Sequence, residues 1–406
     1  MDTKKITPRQ RIVSALSHKE TDRIPIELGA TDSSGIMASA YNRLRSFLGL
    51  KGITYVWDLM QIISKVEIPV LNAIGSDAIP LLIEPKEWKS FKLDDGTEIQ
   101  VPLNANLRKT DNGDTLLVSK NGTVLSKCPK GGYYLDQVFF PLKDVHTKSD
   151  IDKNLSYVSS FDWPEYLDED FNDLKNKAQK LYNETEYAIV ANLCIHIFAA
   201  GQWLRGFDNF MMDLVINKPL AHYLLSKLTE AYLSRIDNYL DAVCNYIQII
   251  LVNDDLGTQR GLQLSPELYC EMIKPYHRKV WQYIKNKSKK PLLLHSCGSI
   301  YELIPDLIEA GVDALNPIQV TAANMDTKKL KKEFGKDLTF WGGGCDTQTI
   351  LARGTPADVR KEVRKRVEDL SKGGGFVFCQ VHNIQANIPP QNILAMYEEL
   401  GTLNYG

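Results

Sequence analysis

The chain has 406 residues, 44 % of them hydrophobic and 24 % charged, with a formal net charge of -2. That is room for one large α/β domain with insertions, or for two smaller domains. Neither half is strongly basic, so nucleic acid is not an implied partner, and no apolar run reaches the ~18 residues that a membrane-spanning helix needs. The first residues run directly into polar sequence, so no leader is expected and a cytoplasmic location is. Seven cysteines, an odd number and widely spaced, argue against a disulfide framework.

Residues 7–17 read as a helix, with Thr7 as N-cap and Pro8 at its first position. Residues 23–29 read as a short buried strand ending in glycine, and 36–48 and 57–74 as helices. From 88 to 141 the pattern changes: polar turns at Asp94-Asp95-Gly96, Asp111-Asn112-Gly113 and Asn121-Gly122 separate short β-prone runs. This is hairpin chemistry, read here as an antiparallel β segment inserted into the main domain.

Beyond it, strand-like apolar runs at 188–192, 247–252, 291–294, 314–315, 338–341 and 375–378 alternate with helical stretches. The helical stretches are 170–183, 221–243, 265–286, 300–309, 355–370 and 393–400. Alternation of this kind, with near-continuous apolar strands, predicts a parallel sheet covered by helices. Six such strands, the run at 23–28 and one strand the sequence does not locate would complete a (β/α)8 TIM barrel. The expected fold is therefore α/β: a single barrel domain over 1–406, with an N-terminal helical extension and the 88–141 insertion. A doubly wound open sheet is the alternative, but no Gly-x-Gly-x-x-Gly follows a strand to support a dinucleotide site.

In a barrel the loops after the strands form the active face. Five strand ends carry polar or metal-binding groups: Asn253-Asp254-Asp255, His295-Ser296-Cys297-Gly298, Asn316-Pro317-Ile318-Gln319, Gly342–Gly344 with Cys345-Asp346-Thr347-Gln348, and Cys379-Gln380-Val381-His382-Asn383. His295 and Cys297 are two apart on a strand, so they face one way and can grip one zinc ion. A buried cysteine beside a core histidine would give the same pair, and Cys345 and His382 after later strands strengthen the metal reading. A catalytic ion keeps one position open, which leaves Cys345 and His382 competing for the third place. Asp254 and Asp255 are candidate catalytic carboxylates, against the alternative of a turn or capping pair. Asn316, Gln319, Trp341 and Gln348 are candidate substrate contacts. The three glycines read as a turn or a close-packing point rather than an anion cradle. His196 and His277 read as structural.

At these residues the chain resembles the uroporphyrinogen decarboxylase superfamily. The matching stretches are Asp254-Asp-Leu-Gly-Thr-Gln259, His295-Ser-Cys-Gly-Ser299, Leu315-Asn-Pro-Ile-Gln319, Phe340-Trp-Gly-Gly-Gly-Cys-Asp-Thr-Gln348, and His382-Asn-Ile-Gln385 through Pro389-Pro-Gln-Asn392. The resemblance implies a TIM barrel and one of two activities. True decarboxylases work without a cofactor and hold a porphyrinogen's carboxylates with arginines near the N-terminus. The corresponding stretch here, Ile26-Glu-Leu-Gly-Ala-Thr-Asp-Ser-Ser34, has no arginine, and a polycarboxylate needs such bidentate partners.

The other branch consists of zinc methyltransferases that work with corrinoid proteins, their zinc held by a His-x-Cys pair and one later cysteine. His295 and Cys297 match the pair. Where the later cysteine would align, this chain has His382, with Cys345 one strand earlier. The resemblance therefore implies zinc-assisted methyl transfer between a small methyl ether, amine or thiol and cob(I)alamin or methylcobalamin. That corrinoid would be carried by a partner protein, since no Asp-x-His-x-x-Gly segment is present to bind it here. A homodimer is a compatible assembly. A cofactor-free decarboxylase, and a non-catalytic zinc-bearing partner of a corrinoid protein, are the competing readings.

Overall fold

Eight extended segments close a parallel barrel in this computed structural model, which describes residues 6–160, 167 and 169–401. The residues on which the expectation of no leader rests lie outside the described set. The strands are β1 (Ala78–Leu81), β2 (Ala188–Asn192), β3 (Ile249–Asn253), β4 (Leu292–His295), β5 (Ala314–Asn316), β6 (Thr339–Trp341) and β7 (Phe376–Val377). Each pairs in parallel with the next, from β1 to β7.

The eighth segment, around Ile26, shuts the gap between the two edges. The Glu27 amide donates to Phe378 O at 3.0 Å and the Phe378 amide to Pro25 O at 2.8 Å, while the Asp77 amide donates to Ile26 O at 2.7 Å on the other side. The expected barrel is thus present, and β1 is the strand that the sequence did not locate. Its four residues, Ala-Ile-Pro-Leu, carry a proline and are too few to show a period.

Side chains alternate across each strand. Ala78, Val190, Leu251, Leu293, Ala314, Trp341 and Val377 fill the barrel interior. Ile189, Ile250, Leu294, Leu315 and Phe340 pack outward against the helices. This two-sided burial is why the strands read as unbroken apolar runs. The expected N-terminal extension, helix Pro8–Leu16, plugs the floor: its Ile12 and Ala15 join the interior cluster. Thr7 caps it in a reciprocal box with Gln10.

The 88–141 insertion is antiparallel, as expected. It comprises a hairpin, Trp88–Lys92 with Glu98–Pro102, and a four-stranded sheet from Asn106–Lys109 to Asp136–Gln137. Among the described residues no helix is long and apolar enough to cross a membrane.

Two helical expectations change. Of 57–74 only Ile68–Ile74 is helical. The start of the run forms an antiparallel pair, Val56–Asp58 with Ile63–Ser64. Pro69 explains the late start, because proline is tolerated in a first helical turn and not inside a helix. The stretch 265–286 is two helices, Pro266–Met272 and Lys274–Ser288, broken where Pro275 removes a donor.

The closing seam rests on a buried carboxylate. Asp77 accepts from Arg11 Nη1 at 2.5 Å, from Arg23 Nη1 and Nη2 at 2.7 and 2.9 Å, and from the Ile26 amide at 2.9 Å. Replacing Asp77 with alanine leaves the buried Arg11 charge short of a partner at the joint. Urea unfolding of Asp77→Ala is expected to show a loss of about 3 kcal/mol or more; a loss below about 1 kcal/mol would mean that the seam does not depend on this carboxylate.

Candidate metal centre at the barrel mouth

Register sets the site. Asn253 on β3 pairs with His295 on β4, and His295 pairs with Asn316 on β5, so three polar side chains lie in one layer at the C-terminal rim. His295 Nδ1 lies 3.0 Å from Asn316 Oδ1. The Asn316 amide is itself oriented, because its Nδ2 donates to Trp341 O at 3.0 Å. Asn316 Oδ1 can only accept, so His295 donates from Nδ1 and turns Nε2 toward the mouth.

Cys297 Sγ lies 3.5 Å from that Nε2. His382 enters from the loop after β7, its ring centre 5.8 Å from that of His295. It holds a left-handed backbone, φ 63°, a conformation that costs a non-glycine residue energy and recurs at functional sites. One ligand atom from each of His295, Cys297 and His382 falls within 4.8 Å of the others. Donors around tetrahedral zinc lie about 3.3–3.8 Å apart, from bonds of about 2.0–2.3 Å, so this group fits the ion after a small closure.

The charge environment is acidic. Burial and the neighbouring His295 hold His382 down to about 4, so its imidazole is neutral and free to ligate. Burial, then the Asp255 carboxylate, pushes the Cys297 thiol well up. A bound divalent cation would reverse that preference. Asp58 is pushed up to about 6 by burial, with the charge of Asp32 adding to it.

The paired aspartates have separate fates. Asp254, 1 % exposed, accepts from the amides of Ile197, Phe198 and Ala199 at 3.0, 2.6 and 2.7 Å and faces His277 Nε2 at 2.7 Å. Its carboxylate anchors the start of the helix Phe198–Arg205 and has its lone pairs engaged there. Asp255 is 48 % exposed; it accepts from the Cys297 amide at 2.8 Å and lies 3.5 Å from His295 Nε2.

Cys345 does not join the group. It is buried in the outer layer, where burial and the Glu362 carboxylate raise its thiol. Trp341 points inward and is fully buried, its Nε1 donating to Glu27 Oε1 at 3.0 Å. Gln319 accepts from the Gly298 amide at 2.7 Å and so fixes the loop behind Cys297. Gln348 lies exposed on the rim beside Gln259. A Cβ on Gly298 would sit 2.5 Å from the backbone of Gly257; this close approach of the two loops requires glycine.

Sequence reasoning missed Asp32, Asp58 and Tyr134. Asp32 Oδ2 accepts from Asn192 Nδ2 at 3.0 Å and Asn253 Nδ2 at 2.8 Å. Asp58 accepts from the Met60 amide at 2.8 Å and from Gln61 Nε2 at 3.0 Å. Tyr134, from the insertion, accepts at its hydroxyl from Gln385 Nε2 at 2.8 Å. The arginine-free stretch contains Asp32, and its charge was the available signal.

A family model described as uroporphyrinogen decarboxylase (URO-D) matches residues 194–402. Curated relatives include a uroporphyrinogen decarboxylase of Hydrogenobaculum sp., 24 % identical over 202 residues, a match covering 50 % of this chain and 54 % of that one. Another, from Methylococcus capsulatus, is 28 % identical over 182 residues, covering 44 % and 47 %. The chain thus spans about half the length of the curated relatives it matches. Among solved structures, a methyltransferase from Methanosarcina mazei superposes with a TM-score of 0.58 at 16 % identity, covering 98 % of each chain, and so shares the fold.

The two aspartates separate by experiment. Asp254→Ala is expected to lose about 3 kcal/mol in chemical unfolding, because three buried amides and His277 lose their acceptor. Asp255→Ala is expected to stay within about 1 kcal/mol of the parent. Equal losses would contradict the division of labour.

Proposed function

This chain belongs to the uroporphyrinogen decarboxylase family, and on that premise we propose that it is a zinc-dependent methyltransferase. It would move a methyl group between a small ether, amine or thiol and the cobalt of a corrinoid carried by a separate protein. One barrel domain, with 88–141 inserted, would carry the whole site. The observation that supports this reading is the convergence of His295, Cys297 and His382, with Asn316 fixing the tautomer of His295. The donor set, two neutral imidazoles and one thiolate, is one that zinc prefers, and it leaves a fourth position open.

Zinc held there would supply Lewis acidity, drawing electron density from the substrate's sulfur, oxygen or nitrogen. The chain's own residues do the rest. Asn316 aims His295, Gln319 and Gly298 hold the Cys297 loop, and Asp255 is the half-exposed carboxylate beside the donors, suited to take or return a proton at the substrate's heteroatom.

The decarboxylase alternative draws support from the printed names of the relatives. The mouth argues against it. Asp32, Asp58 and Asp255 surround the site, and among the described residues none of them is ion-paired with lysine or arginine. Such a mouth repels a polycarboxylate.

Protein purified without added metal is expected to carry one zinc per chain. Cys297→Ser and His382→Ala should each lose it, while Cys345→Ser should keep it. Asn316→Ala should weaken zinc binding about 10–100-fold. Metal-free protein, with Cys297→Ser leaving turnover intact, would overturn the reading.

A further inference from the structure

The loop after the closing segment carries a feature that the metal centre does not use. Asp32 sits on it with Oδ2 held by two amides, Asn192 and Asn253, while its Oδ1 is buried without a donor. Asn253 is 4 % exposed; it spends Nδ2 on Asp32, and its own Oδ1 also lacks a donor. Both unmatched atoms are acceptors, so what is missing there is a donor. Each such buried atom costs free energy unless a partner is supplied.

The position is next to the chemistry. Asn253 is the register partner of His295, and the charge of Asp32 is felt by both Cys297 and His382. Asp58 and Asp255 add to the negative field, and among the described residues no lysine or arginine is ion-paired with any of the three. The backbone carbonyl of Asp32 is already satisfied by Asn383 Nδ2 at 2.9 Å, so the loop is held firmly and Oδ1 is left as its unmatched acceptor.

We propose that Asp32, with Asn253 behind it, receives the ammonium group of a small amine-bearing substrate whose methyl-carrying or methyl-accepting heteroatom faces His295, Cys297 and His382. This rests on the methyl-transfer reading and narrows it to substrates that are cationic at one end. An ammonium supplies both a positive charge and N–H donors, which together match the two orphaned acceptors. A sulfonate or carboxylate at the same end would meet Asp32 with like charge.

The test uses three thiols of similar length that differ at the far end: 2-aminoethanethiol, 2-mercaptoethanol and 2-mercaptoethanesulfonate. Their affinities are measured by calorimetry on the full-length protein, both with its metal and as the zinc-free Cys297→Ser variant. The amine is expected to bind about tenfold or more tighter than the neutral and anionic thiols, a difference of about 1.4 kcal/mol. Asp32→Asn should erase that ranking while zinc content stays unchanged. Equal binding of the three, or tighter binding of the sulfonate, would overturn the proposal.

If Asp32→Asn fails to fold, the ranking on the parent protein decides alone. Zinc present with no amine preference overturns this inference and leaves methyl transfer standing. An amine preference in protein that holds no metal overturns methyl transfer and leaves the ammonium site standing.

Discussion

The structure depends on how the barrel is closed. Residues 25–27 lie between β7 and β1, bonded to Phe378 on one side and to Asp77 on the other. That closure lays the first loop of the chain against the last. The Gly35 amide donates to Asn383 Oδ1 at 2.6 Å, Gln380 Nε2 donates to Ser34 O at 2.8 Å, and Ile36 bridges Ile384. Asp32 and His382 are brought together only because the seam is shut. An open sheet would have left them at opposite edges.

Two electrostatic demands meet at the mouth. The donor group is prepared for a cation, His382 kept neutral by burial and His295 aimed by its bond to Asn316. Around it stand carboxylates with different degrees of freedom: Asp254 engaged by a helix start, Asp32 clamped on one oxygen, Asp255 half exposed. A cation at the centre satisfies both demands, since it strengthens the ligands and offsets the surrounding charge. The same arrangement disfavours an anionic substrate, and this is the physical ground on which a polycarboxylate is set aside.

Much of this was legible in the sequence. The strands past residue 188, the hairpin insertion and the His295–Cys297 pair all follow from local pattern. What was not legible came from chain closure and depth. Asp32 reads as an ordinary loop residue, because its partners Asn192 and Asn253 lie 160 and 221 positions away. Cys345 and His382 looked equivalent as third ligand, because Gly342 and Gly343, at φ 95° and 78°, reset the direction of the chain and erase the alternation that would have told inward from outward. Trp341 looked like a wall of the mouth, because the sequence does not show that its indole is spent inside the barrel on Glu27. The segment 57–74 failed for a local reason, the late proline at Pro69.

In the proposed site one sulfur and two imidazole nitrogens from this chain would hold the metal. Zinc X-ray absorption on the purified protein tests it most directly. One sulfur is expected at about 2.3 Å, with the remaining nitrogen or oxygen donors at about 2.0–2.1 Å. Two sulfurs in the shell would bring Cys345 to the ion, and a shell without sulfur would remove Cys297 from it; either result contradicts the site described.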